Sequence, residues 1–469
     1  MRPTPSPEMS RTGAGRRPAA PPPGGGKAAS IAQVVAFRAL AMAVNIATSL
    51  LTAAVLGPSG RGEQTALVIA PSFLGGFASL GLHGALIYNL RADPAQERAL
   101  LGTGILLTLV AGGLAVGVGW VLEPYWLRQY SAHTIMLGRL LMLVTPLIVI
   151  GWTLSGAAEA RGWFGLVNRM LYVQSLTTLA LLGALALLHR LTPATSACAY
   201  LLPQVPTFLY VFARIVRRMR PAFRPRPDLA ARLLRYGARL CGVDILGTLS
   251  ACIDQLIIVA FLPAGMVGTY AVALSSARML GVVQGGVSSV LFPSIAAREL
   301  GAVVRTVATA FRIATLLIAG LAAALALLGP PLLLLAYGVK FAPAIMPFRV
   351  LLLAMVAENG ARILYQIYSG SGRPELVTLC ECGAVAVLVL AMLALVPTLG
   401  TLGAALAVLF GATFRLTAAI GAMRPLLRVE PPRLLFGRTD LRLMRSMVSR
   451  PPAAVLALAE ARTALETAP

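Results

Sequence analysis

Residues 31–57 read IAQVVAFRALAMAVNIATSLLTAAVLG, a run of 27 residues in which Arg38 is the single charged side chain. An α-helix rises about 1.5 Å per residue, so a run of this length can cross the roughly 30 Å hydrocarbon core of a bilayer. Arg16 and Arg17 precede it, as basic residues precede a secretion signal, but the run is longer than the apolar region of such a signal. We therefore interpret it as a first membrane helix that is not cleaved.

Similar apolar runs follow along most of the chain. The protein has 469 residues, of which 58% are hydrophobic and 12% are charged, about half the charged fraction of a typical soluble protein. The sequence predicts an all-α polytopic membrane protein and excludes a soluble one. The twelve predicted membrane helices are 31–56, 64–90, 99–122, 134–157, 164–188, 193–215, 232–262, 266–293, 303–328, 343–369, 375–397 and 400–423.

The positive charges predict the orientation of these helices. If the N-terminus is cytoplasmic, the cytoplasmic loops and both tails hold 29 Arg and Lys residues. The opposite loops then hold four, namely Arg61, Arg128, Arg190 and Lys340. Because cytoplasmic loops are enriched in Arg and Lys, this bias predicts that both termini are cytoplasmic. The net charge of +23 is then explained by basic loops against the membrane, without a nucleic-acid partner.

An Arg-rich linker divides the helices into two sets of six, arranged around a central cavity. Sets of six place both bundles in the same orientation, as in transporters whose binding site lies between the halves near the midplane. We expect the Arg-rich linker and C-terminal tail to lie against anionic lipid headgroups. The predicted parts are a disordered basic tail (1–30), an N-terminal six-helix bundle (31–215), a basic cytoplasmic linker (216–230), a C-terminal six-helix bundle (231–424) and a basic cytoplasmic tail (425–469).

Transport is favoured over catalysis. No loop is long enough to hold a catalytic domain, and the sequence contains no complete phosphate-binding loop, nucleophile elbow, HExxH motif or paired-cysteine metal site. The sequence therefore predicts no enzyme activity, no cofactor and no metal site.

Charged residues inside the membrane are the candidates for a binding site, because each one is unfavourable in hydrocarbon. Arginines outnumber acids there, so they cannot all be neutralised in pairs, and this excess indicates an anionic ligand. The arginines are Arg38, Arg139, Arg278, Arg312, Arg349, Arg362 and Arg415, and the acids are Asp244, Asp254, Glu358 and Glu381.

Two helices carry polar residues on one face. In the first, Arg38, Asn45 and Thr52 recur every seven residues, and in the eighth, Ser275 and Arg278 lie close to one face. We expect Arg38, Asn45, Ser275 and Arg278 to bind substrate in the central cavity. The alternative is that each arginine extends to the interface or pairs with an acid.

Helix 7 carries Asp244 and Asp254. Asp254 lies among Leu and Ile, where an unpaired carboxylate is either protonated or paired. It is either a proton or sodium coupling site or a structural partner of Arg278. Glu358 and Arg362 are four residues apart, so a local ion pair is favoured over a ligand site.

Six short strings occur in the order found in one known family. They are LGPSGRG (56–62), SLGLHGA (79–85), RYG (235–237), DQLII (254–258), VGTYAVA (267–273) and LFPSIA (291–296). With them, residues 31–424 resemble the lipid-linked oligosaccharide flippases of the multidrug/oligosaccharidyl-lipid/polysaccharide exporter superfamily.

The resemblance implies a protein of the bacterial inner membrane that moves an undecaprenyl-pyrophosphate-linked oligosaccharide outward by alternating access, for surface polysaccharide assembly. It implies that Arg38 and Arg278 bind the pyrophosphate and that Asp254 matches the family's helix-7 acid. Its partners would be membrane lipids, glycosyltransferases and a polysaccharide polymerase.

Two alternatives stay open. A drug/cation antiporter of the same superfamily would carry acids deep within helices 1–6, and the sequence places none there. A non-transporting membrane scaffold would instead recruit polysaccharide enzymes through the basic tails.

Overall fold

The computed structural model describes residues 25–295, 300–371, 373–427 and 429, and within these ranges it is helical and contains no strand. The predicted tails, 1–30 and 425–469, lie mostly outside them. The α-helices are α1 (Gly25–Ala78), α2 (Leu82–Ala92), α3 (Glu97–Trp126), α4 (Ala132–Leu141), α5 (Thr145–Ala160), α6 (Phe164–Leu187), α7 (Pro193–Leu201), α8 (Gln204–Met219), α9 (Pro227–Phe261), α10 (Ala264–Ala277), α11 (Gly281–Ile295), α12 (Leu300–Tyr337), α13 (Ile345–Gly370), α14 (Pro374–Gly421) and α15 (Met423–Leu427).

Ten stretches of the described chain are helical, long and apolar enough to cross a membrane. Large apolar side chains also cover the outside of the molecule, and Leu187 and Leu335 are more than 80% exposed. The protein is therefore a multi-pass membrane protein. All twelve predicted segments overlap these ten stretches, but Ala43–Ala92 and Glu375–Leu427 each overlap two of them, so twelve separate spans are not observed.

Both of these long stretches break at a glycine with a left-handed backbone. Gly57 has φ 66° and Gly400 has φ 57°, a region that residues with a Cβ seldom adopt. In α14 the chain reverses direction at Gly400. The hydrogen bond from Arg415 to Glu381, 34 residues earlier, shows this reversal. In a straight helix these residues would be about 50 Å apart.

The helices form two sets that share one core. We call α1–α8 the N-terminal set and α9–α15 the C-terminal set, and residues 220–226 connect them. The largest cluster of buried apolar side chains includes Phe73 and Met142 from the first set and Tyr270 and Leu351 from the second. The division into separate bundles at 215 and 231 stays a prediction.

The two sets meet closely through glycines at both ends of the molecule. We call the end that holds residues 220–226 the linker end and the end that holds Gly57 the opposite end. At the opposite end, a Cβ on Gly62 would overlap the carbonyl oxygen of Ala264, and one on Gly268 would overlap that of Pro58.

At the linker end, a Cβ on Gly81 would overlap the Gly237 carbonyl oxygen. A Cβ on Gly237 would lie 2.6 Å from the Leu80 carbonyl oxygen. Small residues let helix backbones approach closely in membranes, where water does not drive helices together. The linker-end contact and the opposite-end contact therefore join the two sets at both ends.

The charge bias predicts which end faces the cytoplasm. A reporter fused after residue 225 is expected to read cytoplasmic and one fused after residue 190 external, because Arg-rich segments are retained inside. Alkaline phosphatase activity, which needs export, measures both positions in truncation fusions. An active fusion at 225 with an inactive one at 190 would reverse the orientation.

Candidate functional site

A cavity of about 380 Å³ lies between the two sets, and we call it the central cavity. Helix α1 contributes Asn45 and Ser49, α10 contributes Ser275, and α12 contributes Tyr337; Arg278, directly after α10, also lines the cavity. Three of the four predicted substrate-binding residues therefore line one cavity. Asn45 precedes Ser275 and Arg278 by more than 200 residues in the sequence, and the three come together because α1 packs against α10.

Hydroxyl groups connect the walls of the central cavity. The Ser49 and Ser275 Oγ atoms are 3.3 Å apart, and the Tyr337 hydroxyl donates to Ser49 Oγ at 3.4 Å. These groups both donate and accept hydrogen bonds, so they suit a ligand rich in hydroxyl or phosphate oxygens. Asn45 is exposed in the same cavity.

Arg278 carries the positive charge of the central cavity. Its side chain is exposed, and its Nη2 atom donates to the Ala251 carbonyl oxygen at 2.8 Å. This bond fixes the guanidinium without neutralising it. The remaining N–H groups suit a phosphate, which a guanidinium binds through two oxygens at once.

The predicted polar face of α1 is only partly in the central cavity. Thr52 is fully buried, and its hydroxyl donates to the Thr48 carbonyl oxygen at 2.7 Å. The hydrogen bond of this hydroxyl is therefore made within α1 and not to the cavity. Arg38 lies on α1 two turns before Asn45, about 10 Å along the axis. The Arg38 side chain lies outside the described residues.

A second cavity, of about 330 Å³, lies within the C-terminal set, and we call it the C-terminal cavity. Arg278 lines both cavities and so stands at the boundary between them. The C-terminal cavity is also lined by Asp254, Glu358, Arg362 and Arg415.

Arg415 is the centre of a buried ion cluster beside the C-terminal cavity. Arg415 is only 4% exposed. Its guanidinium donates hydrogen bonds to the Glu358 carboxylate, to Glu381 Oε2 (from Nη2, 3.0 Å) and to the Ser250 hydroxyl (3.3 Å). The predicted pair is present as well, since Arg362 Nε donates to Glu358 Oε1 at 2.9 Å. Two arginines therefore share Glu358.

Asp254 contacts a tyrosine. The Tyr270 hydroxyl donates to Asp254 Oδ2 at 3.0 Å, and Oδ1 is buried with no hydrogen-bond partner among the described residues. Arg278 lines the same cavity but bonds to the Ala251 carbonyl. Asp244 is half-buried and lies on the same helix, α9, outside both cavities. The coupling and pairing roles of both aspartates stay predictions.

One acid within helices 1–6 was missed by the sequence analysis. The predicted third helix ends at residue 122, but α3 continues to Trp126 and buries Glu123 completely. Glu123 lies in the last turn of α3, near the end of the span, so the expectation that helices 1–6 hold no acid deep within a span stays a prediction. Both Glu123 oxygens lack a hydrogen-bond partner among the described residues, and the carboxylate lies close to Gly138, away from both cavities.

The pairing of Arg415 with Glu381 was also not predicted, although the sequence contains a signal for it. Both residues are 17 positions from residue 398, beside the break at Gly400. In a helical hairpin, residues equidistant from the turn lie at the same depth. Comparing residues at equal distances before and after each predicted turn identifies this pair from the sequence.

The Arg415 cluster should contribute strongly to stability. Replacing Arg415 by Met leaves Glu381 without a counter-charge, and breaking a buried ion pair costs about 3–5 kcal/mol. We expect Arg415→Met to lower the folded amount and the unfolding temperature in detergent. Arg362→Gln also removes a partner of Glu358, but that arginine side chain is 46% exposed, so the expected loss is below about 1 kcal/mol. Equal shifts in the two variants would contradict the assigned role of Arg415.

Sequence and structure comparisons place the chain among known proteins. A family model described as polysaccharide biosynthesis protein matches residues 53–346. Among curated protein sequences, none matches the chain significantly.

The fold is similar to those of solved membrane transporters. The lipid II flippase MurJ in an inward closed conformation has a TM-score of 0.71 at 12% identity, covering 88% of this chain and 89% of that one. An inward-facing multidrug resistance MATE family transporter of the MOP superfamily has a TM-score of 0.65 at 15% identity, covering 87% and 96%. A MOP superfamily transporter from Pyrococcus furiosus has a TM-score of 0.59 at 15% identity, covering 85% and 95%. These structures show that the fold is shared, and the family model confirms the resemblance to polysaccharide proteins that the sequence indicated.

Proposed function

The chain belongs to the polysaccharide biosynthesis protein family, and from this premise we propose that it is a flippase for an undecaprenyl-pyrophosphate-linked oligosaccharide. It would move this lipid across the bacterial inner membrane by alternating access, as a transporter and not an enzyme. Glycosyltransferases would act before it and a polysaccharide polymerase after it. The similar fold of a lipid II flippase supports a lipid-linked substrate.

The central cavity is the observation that carries this proposal. It lies between the two sets, its volume is about 380 Å³, and Arg278 supplies a guanidinium that no carboxylate among the described residues pairs with. An unneutralised arginine is retained inside a membrane protein when it faces water or an anion. A pyrophosphate linked to a sugar matches both the charge and the hydroxyl groups of the walls.

The proposed topology has twelve crossings with both termini cytoplasmic. Eight of the ten apolar stretches are assigned one crossing each, and the two stretches that break at Gly57 and Gly400 are assigned two each. The linker end is then the cytoplasmic end.

The two glycine contacts are proposed as the gates of alternating access. The opposite-end contact joins Gly62 to α10, and the linker-end contact joins Gly81 to Gly237 on α9. Each lies on one side of the central cavity. For substrate to enter from one leaflet and leave to the other, the two contacts must open in turn.

Arg278 is the residue whose replacement tests the substrate class. Arg278→Ala is expected to lower export by about tenfold or more, because a hydrogen bond to a charged group contributes roughly 1.5–3 kcal/mol. Arg278→Lys should rescue only partly, since an ammonium cannot bind two phosphate oxygens in one plane. Export of surface polysaccharide, with lipid-linked sugar retained in the inner leaflet, measures both.

Arg349→Ala is the matched control for this experiment. Arg349 is also exposed and also donates to a backbone carbonyl, that of Ala326, but it does not line the central cavity. Normal export by Arg278→Ala, in a protein present at normal amount, would remove the anionic-substrate proposal.

Alanine at the glycine contacts tests the gates. Gly268→Ala is expected to open the opposite end and Gly237→Ala the linker end, because the added Cβ raises the energy of the state in which that contact is closed. In a cysteine-free background carrying Ser275→Cys, a membrane-impermeant thiol reagent reports which side reaches the central cavity. Gly247→Ala is the control, since its Cβ would meet nothing within 4 Å. Unchanged labelling from both sides in the two gate variants would contradict the assignment.

A drug/cation antiporter is the second candidate, and the buried Glu123 is the observation that favours it. An antiporter needs an acid that binds a proton or cation in exchange for substrate. Glu123 lines neither cavity, however, and lies beside Gly138 near the opposite end. Loss of drug export in Glu123→Gln, with polysaccharide export unaffected by Arg278→Ala, would favour the antiporter.

A further inference from the structure

Four arginines converge at the linker end of the N-terminal set, around a cavity of about 400 Å³. We call them the linker-end arginine cluster. Arg98 lies in the first turn of α3, Arg161 follows α5, Arg218 lies in the last turn of α8 and Arg220 follows it. Three helix ends, distant in sequence, therefore place their charges around one space.

Most of this charge is not neutralised by the protein. Glu97 is the acid that lines the cavity, and its carboxylate accepts a hydrogen bond from Arg161 Nε at 2.9 Å. Among the described residues, no carboxylate pairs with Arg98, Arg218 or Arg220. The cavity lining therefore carries a net charge of about +3.

A nearby arginine shows the contrast. Arg226, six residues beyond Arg220, binds Asp228 with both ends of its guanidinium, at 3.0 and 2.7 Å. These hydrogen bonds lower the pKa of Asp228 to about 2, so at neutral pH the pair is ionised and has no net charge. Arg98, Arg218 and Arg220 have no such partner among the described residues, although a carboxylate lies nearby in the first turn of α9.

The cluster is held in place by the backbone. Arg98 Nε donates to the Arg220 carbonyl oxygen at 2.9 Å, and the Ala222 backbone N–H donates to the Arg98 carbonyl oxygen at 2.8 Å. A Cβ on Gly102 would overlap the Ala222 carbonyl oxygen, so the linker lies directly against α3. Like charges are therefore kept together by bonds that do not neutralise them.

Aromatic and apolar residues place this cluster at the level of lipid headgroups. The Arg218 guanidinium lies 5.1 Å from the centre of the Trp163 ring, and Trp is enriched where membrane meets water. Phe223, on the linker, is about half exposed. Leu109 on α3 lies 11 residues after Arg98, about three turns further into the membrane on the same face of that helix, and its side chain is exposed.

We propose that the linker-end arginine cluster binds the phosphate of an anionic phospholipid, with the acyl chains lying along α3. The bound lipid joins α3, α5 and α8 to the linker that connects the two sets. Its site is separate from the central cavity, so this inference does not depend on the transported substrate.

The test compares lipids and variants in titrations of purified protein. Short-chain phosphatidylglycerol is expected to change Trp163 fluorescence, whereas short-chain phosphatidylcholine is not, and Trp163→Phe should remove the signal. In the double variant Arg218→Gln, Arg220→Gln, the affinity for phosphatidylglycerol should fall about tenfold or more, since each arginine near an anionic lipid contributes roughly 1 kcal/mol.

The control double variant is Arg214→Gln, Arg217→Gln. These arginines lie on the same helix and are exposed, but they do not line the cavity, so binding should fall by less than about threefold. Phosphatidylglycerol should also raise the unfolding temperature of the wild type and the control, and not of the cluster variant. This second measurement separates lost binding from lost folding.

Three results would overturn the proposal. Equal responses to phosphatidylglycerol and phosphatidylcholine would exclude headgroup recognition. Equal losses in the two double variants would reduce the effect to general surface charge. Competition by inorganic phosphate at the same concentration as the lipid would make the cluster a site for free phosphate.

Discussion

The close approach of glycine backbones between the two helix sets is the constraint on which the remaining structure depends. At Gly62, Gly237 and Gly268 a carbonyl oxygen of the other set occupies or crowds the place of a Cβ. In a bilayer, helices gain little from burying apolar side chains against each other, so such contacts hold sets together. They occur at both ends of the molecule, and the central cavity lies between the same two sets.

The surroundings of the arginines decide which ones support the fold and which can bind a ligand. Arg415 is buried between two carboxylates and a serine hydroxyl, so its charge is fully used inside the protein. Arg278 is exposed and bonds to a neutral carbonyl, which orients the guanidinium; Asp254 and Glu358 act on its charge from a distance, but no carboxylate among the described residues forms an ion pair with it. Both residues are arginines, and what distinguishes them is whether carboxylates or a neutral carbonyl contact the guanidinium.

The helical architecture follows from the sequence because about 20 apolar residues must span a bilayer. The polar residues predicted on α1 and at the end of α10 likewise include Asn45, Ser275 and Arg278, which line one cavity, whereas Thr52 of the same seven-residue spacing is buried. The bond between Tyr270 and Asp254 was missed, because a tyrosine in an apolar run resembles a core residue. Glu123 was missed because α3 continues past the charge that was taken as its end.

The short strings that indicated the family acquire a physical meaning in the fold. LGPSGRG (56–62) meets VGTYAVA (267–273) at the opposite-end contact, and SLGLHGA (79–85) meets RYG (235–237) at the linker-end contact. Next to the latter, Tyr88 stacks on Tyr236 with ring centres 4.3 Å apart. Each string is mostly apolar and specifies little alone, yet in pairs they fix where two backbones touch. Each pair therefore fixes one contact between the two sets, and the central cavity lies between those sets.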